Sequence, residues 1–119
     1  MIITLCGSAR FEKEFKEWNE KLTLEGHTVF SLSVYASDKP AGKDWYTEEQ
    51  KKELDAAHKR KISASEAIVV LNVGGYFGDS TRSEIGWAER EGKKIFWLED
   101  KDPAGISLGH CSMAYSLVS

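Results

Sequence analysis

Glu84 ends an unusual run, Gly74-Gly75-Tyr76-Phe77-Gly78-Asp79-Ser80-Thr81-Arg82-Ser83-Glu84. Its glycines let backbone N–H groups come close to an oxyanion. The hydroxyls of Ser80 and Thr81 can donate to it, and Arg82 adds a cation at a helix start. Placed in the first helical turn, Glu84 either complements the helix dipole, closing a capping box with Thr81, or projects a carboxylate into a cleft. Spacing leaves both readings open. Tyr76 and Phe77 either stack on a base or cover a sheet end. A second run, Cys6-Gly7-Ser8-Ala9-Arg10, offers the same kind of turn. There Ser8 is a helix N-cap or an anion donor, and Arg10 can complete a phosphate clamp. No Gly-Lys-Ser/Thr and no G-x-G-x-x-G follows, so neither standard nucleotide loop is present. The third candidate is His58, which shares a four-residue spacing with Leu54 and Ile62. That stripe points the imidazole inward, as a core histidine or as the partner of a carboxylate.

These residues need a scaffold, and the hydrophobic pattern supplies one. Met1 to Cys6 reads as a short strand. Phe11, Phe15, Trp18 and Leu22 form the apolar stripe of a helix stopped by Gly26. Thr28 to Tyr35 is β-like again, and Ala36 to Trp45 is a loop. Thr47 with Gln50 has the form of a capping box for a helix running to about Ser63. Ala67 to Leu71 is uninterruptedly apolar, as in a central parallel strand covered on both faces. Ser80 or Thr81 caps a third helix with Ile85, Ala88 and Trp87 inward, ended by Gly92. Ile95 to Leu98 is a fourth strand. The tail from 98 to 119 has no clear period, and His110 within it carries no signal; neither does His27, at a strand start. Strands alternating with helices predict an α/β three-layer sandwich on a mostly parallel sheet of four or five strands.

A chain of 119 residues fits one domain, 1–119, and buries about two-thirds of its unfolded surface, enough for a core without staples. The net charge, −3, argues against nucleic acid as the partner. No apolar run is long enough to span a membrane, and no leader opens the chain. Two cysteines, Cys6 and Cys111, suggest no disulfide scaffold, and three histidines on separate elements make no metal set. The expectations are therefore no cofactor, no metal, and a reducing, cytoplasmic compartment.

Leu5 to Arg10, Ile62 to Val73, and Gly-Asp-Ser-Thr-Arg-Ser-Glu-Ile-Gly-Trp-Ala at 78–88 together resemble the nucleoside 2-deoxyribosyltransferase superfamily. The likeness is to its small members, which include the deoxynucleoside 5′-monophosphate N-hydrolases, and spans about residues 2 to 98. It implies a flavodoxin/Rossmann-like domain that cleaves, or transfers a sugar across, a nucleoside N-glycosidic bond. The family's nucleophilic glutamate falls on Glu84, and its 5′-phosphate turn on Gly7, Ser8 and Arg10. Gly75, Tyr76, Gly78, Ser80, Thr81 and Arg82 complete the expected substrate contacts, and self-association as a homodimer or larger homo-oligomer is implied. Two positions depart from the family. Thr4 stands where the small hydrolases carry a tyrosine, and His58 where they carry an aspartate. Asp55, one turn earlier, replaces that aspartate only if the helix register or tilt differs.

On this resemblance the reaction is displacement at the anomeric carbon through an oxocarbenium-like transition state, with Glu84 attacking or stabilising the sugar. With the aspartate absent, His58 is the expected proton donor, since its ordinary pKa lies near 6.5. Two other readings compete. Gly-Gly-x-x-Gly-x-x-Thr-x-x-Glu also resembles the phosphoribohydrolases that release bases from 5′-ribonucleotides, though Val73 replaces their leading proline. A non-catalytic nucleotide-binding module or sensor is the other.

Overall fold

Residues of alternate parity in each inner strand face opposite sides of one sheet, and each side has its own helices. The computed structural model describes residues 1–35, 45–101 and 112–118. In chain order these form β1 (Ile2–Cys6), α1 (Glu12–Leu24), β2 (Thr28–Phe30), α2 (Glu48–Ser63), β3 (Ala67–Val70), α3 (Asp79–Arg90), β4 (Lys94–Trp97) and β5 (Ser112–Met113). All strand pairs are parallel, in the order β2-β1-β3-β4-β5. The alternation of strand and helix legible in the sequence is thus observed, with a fifth strand.

Ile3, Leu5, Ala67, Val69 and Leu71 face α1, whose Phe15, Trp18 and Leu22 are buried against them. The intervening residues Cys6, Ile68 and Val70 face α2 and α3 and pack with Ile62, Ile85 and Ala88. This is the period-two consequence of the strand pleat. Three layers result. Thr4 lies on the α2 side too, where its hydroxyl meets that of Ser65 at 2.6 Å in the interior. A large phenol at position 4 would need the space that this hydrogen bond occupies.

Three details differ from expectation. The second strand ends at Phe30 rather than Tyr35, because the next stretch is tied to α2 instead of to β1. Lys61 Nζ donates to the Ser31 carbonyl at 2.8 Å and to Ser33 Oγ at 3.1 Å. Ser8 does not cap α1; Phe11 holds that position, with no side-chain cap. Neither Ser80 nor Thr81 caps α3, which begins from an extended Gly78 whose carbonyl accepts from Arg82 N at 2.9 Å. The Thr47–Gln50 capping box of α2 is present with both of its hydrogen bonds. Part of the tail is β5, two residues long and so too short to show a period. The 36–44 part of the expected loop, His110 and Cys111 lie outside the described residues. Among the described residues no helix is long and apolar enough to cross a membrane.

Candidate active site

The chain runs from β1 outward to β2 and returns across to β3, so the topological switch lies between β1 and β3. Ligands in open α/β sheets bind beyond the carboxyl ends of such strands. Cys6 closes β1 there, and Gly7 turns the chain at a φ of +155°. A Cβ at Gly7 would stand 3.2 Å from the Leu71 carbonyl oxygen, so the two strand ends can lie this close only around glycine.

Helix register then brings two more side chains over Cys6. The Leu54–His58–Ile62 stripe of α2 faces inward, and His58 is 5 % exposed. Because α3 starts at Asp79, Glu84 falls in its second turn rather than its first, and no capping box with Thr81 exists. Thr81 is itself buried within the helix, as are Glu84, Ile85 and Ala88. His58 Nε2 lies 3.7 Å from Cys6 Sγ and 3.8 Å from Glu84 Oε2. Thus His58 does reach a strand end, that of β1, which its place late in α2 does not reveal.

Glu84 and His58 line a pocket of about 190 Å³. Leu32, Ser33 and Val34 form one wall, and Asp55 and Ser80 stand on the helices opposite. This is smaller than the ~300–1,000 Å³ of typical small-molecule sites. The part of it lined by the described residues has the size of a sugar rather than of a whole nucleotide. Asp55 and His58 both open on the pocket, as residues three apart on one helix face do. Helix α2 therefore presents an acid here after all, at 55 rather than 58.

Electrostatics separate the groups. Burial raises the Glu84 carboxyl from 4.5 to about 7, and the nearby charge of Asp55 adds to this; the Cys6 thiol and Lys59 oppose it. Burial lowers His58 from 6.5 to about 4, helped by the charge of Lys61, with a backbone hydrogen bond to Leu5 and Asp55 opposing. The imidazole is consequently neutral at pH 7. Its contact with Glu84 is then no ion pair. Burial and the neighbouring Glu84 raise the Cys6 thiol.

The other expected site residues lie in different places. Ser80 is in the pocket. Gly7 and Ser8 begin one residue beyond Cys6, and Arg10 stacks on Tyr76, with its guanidinium carbon 4.1 Å from the ring centroid. That stack joins the loop after β1 to the loop after β3. In the glycine-rich turn, however, several N–H groups are already used. Gly74 N donates to the Glu99 carboxylate, Gly75 N to the Asn72 carbonyl and Tyr76 N to the Val73 carbonyl. These three N–H groups are therefore not free for an anion; the turn also exposes the Tyr76 ring, and Gly78 lets the Tyr76 hydroxyl approach to 3.3 Å from where a Cβ would be. Arg82 points elsewhere, over Phe77 at 5.1 Å, into a separate depression with Trp97. Sequence reasoning missed Cys6 as a site residue. The parity of β1, with Thr4 and Cys6 on one face, was the available signal.

No protein-family model and no curated protein matches the sequence. Solved structures do. A 2-deoxyribosyltransferase from Bacillus psychrosaccharolyticus is similar over 82% of this chain and 71% of its own, with a TM-score of 0.60 and 17% identity. The CMP N-glycosidase BcmB of Clostridium botulinum is similar over 82% of this chain and 70% of its own, with a TM-score of 0.52 and 22% identity. A conserved protein from Enterococcus faecalis V583 gives 0.60 and 18%, over 82% of this chain and 62% of its own. The chain has the nucleoside 2-deoxyribosyltransferase-like fold.

Proposed function

We propose that this protein is a hydrolase or transferase acting on the N-glycosidic bond of a nucleoside or (deoxy)nucleoside 5′-monophosphate. The observation that carries the reading is Glu84, a buried carboxyl opening on a sugar-sized pocket at the switch point, with Asp55 in the same pocket. The fold's likeness to a deoxyribosyltransferase and a CMP N-glycosidase supports it.

In this reading Glu84 attacks or stabilises the anomeric carbon as the base departs, and Asp55 handles protons or sugar hydroxyls in place of the aspartate that His58 displaces. Neutral His58 holds the Glu84 side of the pocket and is a positioning residue. Gly7, Ser8 and Arg10 receive the 5′-phosphate, supplying remote binding energy that orients the sugar, and the Tyr76 ring meets the base.

The raised pKa of Glu84 favours one second reading, in which Glu84 is the general acid and Asp55 the stabilising carboxylate. The pH dependence separates the two. An attacking Glu84 must be ionised, so turnover rises as pH passes about 7; a proton-donating Glu84 gives turnover that falls there.

The test is a panel of ribo- and deoxyribonucleosides and their 5′-monophosphates, with chromatography for free base. Base release is expected, and Glu84→Gln should lower it by about 100-fold or more while a nucleotide-induced rise in melting temperature persists. A Glu84→Gln rate equal to the parent's removes Glu84 from the chemistry. Nucleotide binding with no base released from any substrate would instead mark a binding module.

A further inference from the structure

We propose that Cys6, His58 and Glu84 form a binding site for a thiophilic divalent cation of the Zn²⁺ class, and that occupation of this site withdraws Glu84 from the pocket's chemistry. The three ligand atoms come from β1, α2 and α3, and all lie within 4.8 Å of one another. With Zn–S near 2.3 Å and Zn–N and Zn–O near 2.0 Å, tetrahedral edges are about 3.5 Å for S···N and about 3.3 Å for N···O. The separations of 3.7 Å between Cys6 Sγ and His58 Nε2 and 3.8 Å between His58 Nε2 and Glu84 Oε2 need a few tenths of an ångström of closure, and the third edge, from Cys6 Sγ to the Glu84 carboxylate, lies within 4.8 Å and must come to about 3.5 Å.

A second observation points to a ligand. Glu84 Oε2 is buried without a partner in hydrogen-bond geometry, on a side chain only 7% exposed, although the Cys6 thiol is close enough to the carboxyl to act on its pKa. A buried polar atom left unpaired is costly and uncommon, and a cation at the centre of this triad would satisfy it. The chemistry of the set chooses the metal. One sulfur, one imidazole and one carboxylate suit Zn²⁺, whereas Mg²⁺ and Ca²⁺ require six or more oxygens. His58 and Glu84 both line the pocket, which gives the ion its entry path. On binding, the S–H bond of Cys6 breaks and Glu84 gives up its proton where it carries one; the protons leave to solvent, the thiolate and the carboxylate bond the metal, and no oxidant is needed.

The inhibitory consequence rests on the role proposed for Glu84, since a carboxylate bonded to Zn²⁺ cannot also serve the sugar. The metal site itself does not. The experiment therefore begins with Co²⁺ alone, added to chelator-treated full-length protein and read by absorption. Expected are one Co²⁺ per chain, visible bands of tetrahedral intensity and a thiolate-to-cobalt charge-transfer band, all displaced by Zn²⁺. Cys6→Ser should lose the charge-transfer band and Cys111→Ser should keep it. A wild-type spectrum without that band overturns the site, as does a band that survives in Cys6→Ser or vanishes in Cys111→Ser. Where Cys6→Ser fails to fold, the wild-type and Cys111→Ser spectra together decide. Where base release is measurable, stoichiometric Zn²⁺ should suppress it about tenfold or more and a chelator should restore it; full activity with Zn²⁺ bound overturns the inhibitory role. A cobalt spectrum as expected in a protein that releases no base would sink the glycosidic reading alone.

Discussion

At the level of single residues, the pocket is governed by where two acids and two lysines fall on α2 and α3. Glu84 is pushed toward neutrality by burial and by Asp55, and is held back by Lys59. Lys59 also pairs with Asp55 at 3.2 Å, so it restrains both the acid and the charge that disturbs it. Lys59→Ala removes a positive charge near Glu84 and frees the negative charge of Asp55. Both changes favour the protonated carboxyl. Because Lys59 does not line the pocket, substrate affinity should change little. The expected outcome is that the pH at which Glu84 titrates, read from the pH–rate profile, moves upward from about 7. A profile unchanged or displaced to lower pH would show that Lys59 does not act on Glu84.

Among the elements, α2 does most of the positioning. It carries Asp55 and His58 into the pocket, seals the sheet with Ile62, and straps down the wall after β2 through Lys61. Lys61→Met keeps the aliphatic stem but leaves the Ser31 carbonyl without its donor, at a cost of about 1–3 kcal/mol. Since Leu32, Ser33 and Val34 form that wall, KM should rise severalfold while kcat changes less; a change confined to kcat would contradict the strap. The start of α2 was legible from Thr47 and Gln50, and its inward face from the Leu54–His58–Ile62 spacing, because capping and helical period are local properties. The start of α3 was not. Gly78, Ser80 and Thr81 are all acceptable cap residues, and only the path of the chain out of the turn selects Gly78. Burial of Glu84 was legible as one of two alternatives. Its union with Cys6 was hidden, because it depends on the parity of β1, the order of the strands and the tilt of two helices together. The place of Asp55 was hidden for the same reason: whether a residue three positions before His58 also reaches the pocket depends on the tilt of α2.

For the whole molecule, the site is a source of instability whose pH dependence has a definite sign. The Glu84 carboxyl binds its proton more tightly when folded, at about 7 against 4.5, so this group removes stability as pH rises through that window. His58 does the opposite. Held at about 4 against 6.5, it stays neutral in the fold while the unfolded chain takes up a proton, so its contribution lowers stability as pH falls through 6.5 toward 4. Each window spans about 2.5 pH units, or on the order of 3 kcal/mol. The two slopes offset in the parent between about pH 4.5 and 6.5, so these groups leave its stability nearly level there. Single replacements should uncover each one. Glu84→Gln leaves His58 alone, so stability should climb with pH to about 6.5 and then level off; at pH 8 the variant should exceed the parent by roughly 3 kcal/mol, with little gain at pH 4. His58→Gln leaves Glu84 alone, and its stability should fall as pH rises from about 4.5 to 7. Urea melts at half-unit pH steps provide the measurement, and parallel slopes in the two variants would refute the assignment. The signs carry a functional meaning as well. A substitution that removes turnover while raising stability at alkaline pH marks Glu84 as a residue kept in the fold against its own solvation, which is expected of a group held for chemistry rather than for folding.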